Sequence, residues 1–74
     1  MTQTAATRYA ELWAEAQNLI DRLNGALIRD SDAMKHDPRN WGYAGSMAEA
    51  NKHLVLALHS LGGLTAEEQA RHGI

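Results

Sequence analysis

At 74 residues with a formal net charge of −2 and a pI near 6.0, the chain has room for one small domain, 1–74. It has no general attraction for phosphate backbones or anionic lipid. The absence of cysteine excludes disulfide staples and thiolate metal sites, which leaves self-association as the route by which so small a fold gains an adequate core. The polar start from Met1 to Arg8 has no apolar signal core, and no run reaches the roughly 18 apolar residues of a membrane span, so a soluble cytoplasmic protein is expected.

The first predicted element is a long helix from about Thr4, placed to cap it, to Lys35 or His36 (4–36). Trp13, Ile20, Leu27 and Met34 recur every seven residues, and Tyr9, Leu12, Ala16, Leu19, Leu23, Ala26 and Ala33 fill the 3-4 spacing beside them. Two adjacent rows make an apolar face wider than a two-stranded seam, so the helix is expected to touch more than one neighbour. Gly25 inside it costs about 1 kcal/mol relative to Ala, tolerated because packing holds the helix or because another backbone comes close. Asp37-Pro38 ends the element, since the residue before proline is pushed out of the α region.

Residues 37–45 read as a loop, because Pro38, Asn40, Gly42 and Gly45 are turn formers. Ser46 followed by Glu49 has capping-box spacing and predicts the start of a second helix over about 46–61. Its apolar face comprises Met47, Ala50, Asn51, Leu54, Val55, Ala57, Leu58 and Leu61. Gly62-Gly63 stop it, with Leu64 placed for the hydrophobic contact of a Schellman end. Thr65 and Glu68 repeat the capping-box spacing ahead of a short helix over about 66–71, with Gly73 as its stop.

The expected fold class is therefore all-α: an antiparallel hairpin of a long and a shorter helix plus a short C-terminal helix, self-associating into a bundle. The second helix is about half as long as the first, whose length at 1.5 Å per residue is about 45 to 50 Å. Packed on the carboxyl half of the first, it leaves the stripe at Tyr9, Leu12, Trp13, Ala16, Leu19, Ile20 and Leu23 uncovered. Each Leu, Met or aromatic side chain left in water forfeits about 1.5 to 3 kcal/mol. A second copy of the chain, in a homodimer, is the expected cover for those residues.

Little in the chain carries chemistry. His36, His53, His59 and His72 have no metal-ligand spacing: Glu49 and His53 stand at i, i+4, and no His-Glu-x-x-His motif occurs. His59 and His72 lie near helix carboxyl ends, where a cation is favoured. Asp30, Asp32, Asp37 and Glu49 are interleaved with Arg29, Lys35, Arg39 and Lys52, a mixed and solvated set of charges. Asp30 continues the row of Ala16 and Leu23, with Asn51 at a comparable position on the second helix; the pair is either a polar layer that fixes register or the edge of the stripe. Ser31, Ser46 and Ser60 have no His/Asp arrangement, and the glycines match no phosphate-binding loop. No catalytic residue, metal ligand or cofactor site is assigned, and the chain is read as no enzyme.

Among the connecting residues, Arg39, Asn40, Trp41 and Tyr43 exceed what a turn needs, since the chain has only two tryptophans and two tyrosines. The aromatics either close the end of the bundle over Met34 and Met47, the preferred role, or anchor a partner protein. The small size and helix-hairpin form resemble many modulator and accessory proteins, a likeness at the level of fold. The expected function is a non-enzymatic protein-protein interaction module acting as a homodimeric helical bundle. The alternatives are a DNA-associated regulator using the second and third helices and a ligand- or metal-binding bundle. Against DNA, the would-be recognition helix opens Ala66-Glu67-Glu68, presenting carboxylates where phosphates would be met.

Overall fold

The computed structural model describes residues 4–74. It is all helical over those residues, without a strand, and contains α1 (Ala5–His36), α2 (Trp41–Ser60) and α3 (Ala66–His72). The chain divides between Pro38 and Arg39 into two units, the first holding α1 and the second holding α2 and α3. None of the helices is long and apolar enough to cross a membrane, among the described residues.

Alpha1 is built from strong helix formers and closed at both ends by local chemistry. The Thr4 hydroxyl oxygen accepts a hydrogen bond from the Thr7 amide at 3.1 Å, and the Arg8 amide bonds the Thr4 carbonyl at 3.0 Å. The first satisfies a donor that a helix start leaves without an intrahelical partner, and the second is the first bond of the helix ladder. At the other end Asp37 leaves the helical region at φ −145° and ψ 60°, as its proline neighbour requires. Lys35 and His36 occupy the last turn, on the favourable side of the helix dipole. Inside the helix, among the described residues, a Cβ at Gly25 would meet only the end of the Arg29 side chain, at 3.6 Å.

The second helix corrects the sequence reading. It starts at Trp41 instead of Ser46, and the expected loop 37–45 contracts to 37–40. Asn40 is the cap: its Oδ1 accepts from the Gly42 amide at 2.9 Å. A Cβ at Gly42 would lie 3.0 Å from that oxygen, so the glycine that reads as a loop former gives the capping side chain room. Asn ranks among the best N-caps, and once it initiates the helix Ser46 is an interior residue. The Glu49 carboxylate, expected to close back on Ser46, reaches forward to Lys52 Nζ at 3.4 Å and His53 Nε2 at 3.5 Å. Starting at Trp41 also places Tyr43 at helical spacing ahead of Met47, Ala50, Leu54 and Leu58, which extends the apolar row by a turn.

Alpha2 ends in a Schellman turn. Gly62 adopts φ +72°, the Gly63 amide bonds the Leu58 carbonyl at 2.7 Å, and the Gly62 amide bonds the His59 carbonyl at 3.1 Å. The Leu58 side chain closes over this turn, since a Cβ on Gly63 would sit 3.0 Å from Leu58 Cδ2. Leu64, next in sequence, is the one buried apolar residue among those described, at 8% exposure. It immediately precedes the α3 cap, the position from which an apolar side chain fixes the entry of a helix. Its carbonyl accepts from Gln69 Nε2 at 3.3 Å. The Thr65 capping box is complete: the Glu68 amide donates to Thr65 Oγ1 at 3.2 Å, and the Thr65 amide donates to Glu68 Oε1 at 3.0 Å. Gly73, at φ +73°, ends α3 where the sequence placed its stop.

Candidate functional site

Alpha1 presents an exposed apolar stripe. Tyr9, Leu12, Trp13, Leu19 and Ile20 are 44–68% exposed, and Ala16 lies among them, also exposed. Every described residue up to Arg22 is exposed, and half-burial begins at Leu23, continuing at Ala26, Leu27 and Asp30. Monomeric soluble proteins rarely leave contiguous apolar surface of this kind in water, and where they do it marks an interaction face. Polar groups lie outside the stripe; Arg8 Nη1 pairs with Glu11 Oε2 at 3.3 Å along the helix.

The second candidate surface gathers Arg39, Asn40, Trp41 and Tyr43 at the start of α2 and separates their roles. Asn40 is occupied as the cap. Trp41 and Tyr43 are two residues apart on a helix and so point about 200° apart around its axis. Tyr43 is half-buried on the apolar row, whereas Trp41 is 86% exposed. Arg39, also exposed, precedes the cap and supplies a cation beside it.

Sequence spacing gave no reason to separate the two aromatics, because both were assigned to a loop where neither has a defined direction. Exposed Ile28, at 64%, lies off the α1 stripe, and Leu61, at 88%, sits at the end of α2 just before the positive-φ glycine. A helical-wheel reading places Leu61 with the core, but the Schellman turn redirects the chain there. Asp30 is half-buried and Asn51 exposed.

The Glu68 carboxyl is held below its ordinary value of 4.5 by the Thr65 backbone amide first and the Thr65 side chain next; it is a capping group. Among the described residues no three His, Cys, Asp or Glu side chains gather in a group that could hold a metal ion. Ser60 Oγ donates back to the Leu56 carbonyl at 2.9 Å, a helix-internal bond that leaves its hydroxyl proton engaged. Comparison with models of known families, with curated proteins and with solved structures finds no match.

Proposed function

We propose that this protein is a non-enzymatic interaction module that acts as a homodimeric helical bundle and works by binding another protein. The observation that carries the proposal is the exposed stripe of α1, whose aromatic and aliphatic side chains have no cover in the first unit. In the assembled state α2 lies antiparallel on the carboxyl half of α1, and a second copy covers the amino half. Burial of several large side chains at about 1.5 to 3 kcal/mol each supplies the driving force. Cytoplasmic residence agrees with the cysteine-free composition.

Trp41 is the proposed anchor for the other protein. Its indole stands in water next to Arg39 at a capped helix start, so little ordering cost attends its use. Glu67 and Glu68 in the first turn of α3 oppose the DNA-binding alternative. The test is retention of a host protein by the immobilised full chain. Trp41→Ala should lose the retained protein while shifting stability by no more than about 0.5 kcal/mol. A variant that keeps the same partner at the same level overturns this surface, and one that melts far earlier makes Trp41 a structural lid.

A further inference from the structure

We infer that Asn24-Gly25 in α1 is a self-modification site, where local opening of the helix lets the chain convert Asn24 to aspartate and isoaspartate without an enzyme. The asparagines of the sequence are Asn18, Asn24, Asn40 and Asn51, and the residues that follow them are Leu19, Gly25, Trp41 and Lys52. Only Gly25 lacks a side chain that would hinder approach to its backbone nitrogen. Asn24 is exposed, so water reaches its carboxamide. Asn40 differs further, because its Oδ1 is held by the Gly42 amide at 2.9 Å.

The Gly25 nitrogen bonds to Asn24 Cγ, the Cγ–Nδ2 bond breaks, and the side-chain nitrogen leaves as ammonia, carrying the proton that the Gly25 amide gives up. The product is a succinimide ring. One water then opens it, at Asn24 Cγ to leave aspartate or at the Asn24 main-chain carbonyl carbon to leave isoaspartate, and nothing is oxidised or reduced. An intact helix forbids the first step. It fixes ψ at about −42°, away from the geometry of ring closure, and engages the Gly25 N–H with the carbonyl four residues back. Opening is favoured at this pair because asparagine and glycine are among the poorer helix formers. Alpha1 also holds no buried residue among those described, so little packing opposes the opening. Isoaspartate carries one extra main-chain methylene, across which the hydrogen-bond ladder loses register. The apolar rows on either side, Trp13 and Ile20 before it and Leu27 and Met34 after it, then no longer share one face.

The test incubates the full chain at neutral pH, folded and in parallel in guanidinium chloride, and reads each asparagine by digestion and mass spectrometry that separates aspartate from isoaspartate. The folded chain should gain both products at Asn24, at a rate about tenfold to a hundredfold below that of the denatured sample, as a reaction gated by local opening requires. Asn18, Asn40 and Asn51 should keep their amides over the same period. Gly25→Ala adds a Cβ at an ordinary contact distance of 3.6 Å from Arg29 Nη1. It should slow conversion of Asn24 at least about tenfold, by shielding the nitrogen and strengthening the helix. Equal rates in the folded and denatured chains overturn the gating by the helix. Conversion of another asparagine as fast as Asn24 overturns the site, and aspartate without isoaspartate overturns the ring route. An Asn24 amide that outlasts the expected range in the folded chain overturns the proposal as a whole.

Discussion

Replacing Asn40 by Ala removes the oxygen that receives the Gly42 amide and should cost about 1 kcal/mol. Ser46→Ala, deep in the same helix, should change stability by no more than about 0.5 kcal/mol. Thermal melts of the two variants locate the start of α2, and a larger loss for Ser46→Ala would restore the later start. At the far end of the second unit, Glu68 has a lowered pKa in the folded state. Its contribution is present above its unfolded pKa and is lost as pH falls through the lowered folded value. The Thr65 amide resonance should therefore titrate with a midpoint below 4.5, and Glu68→Gln should abolish that titration. A midpoint at or above 4.5 would contradict the capping-box geometry.

At the scale of the helices, the glycines divide by backbone angle. A Cβ at Gly45 meets nothing within 4 Å, so Gly45→Ala should stabilise α2 by about 1 kcal/mol. Gly62, at φ +72°, should lose about 1 kcal/mol or more when replaced by Ala, because a side chain disfavours the left-handed region. Denaturant titration reads both, and a destabilising Gly45→Ala would place a neighbour against that face of α2. These positions also mark where the sequence was legible. The Thr4 cap, the stop at Asp37-Pro38, the double-glycine Schellman turn and the Thr65 box were readable because each depends on residues within one turn of one another. The start of α2 was not, because two capping signals competed, and Asn40 with a glycine two residues on resembles a loop as closely as a helix start. The separation of Trp41 from Tyr43 depended on that start: the side chains acquire directions only once the helix register is known.

For the whole molecule, the decisive fact is that Leu64 is the one buried apolar residue among those described, in a chain whose composition is 45% hydrophobic. Most helical stability in proteins comes from packing an amphipathic face, so the long stripe of α1 requires cover. The proposed cover is a second copy of the chain, since closed two-fold assemblies are the commonest solution for a self-complementary patch. Sedimentation equilibrium of the full chain at micromolar concentration tests this most directly. The account predicts a species of twice the 8.1 kDa chain mass, with Trp13→Ala weakening association about thirtyfold, the equivalent of a ~2 kcal/mol hot spot. An 8.1 kDa monomer across that range, unchanged by Trp13→Ala, would contradict it.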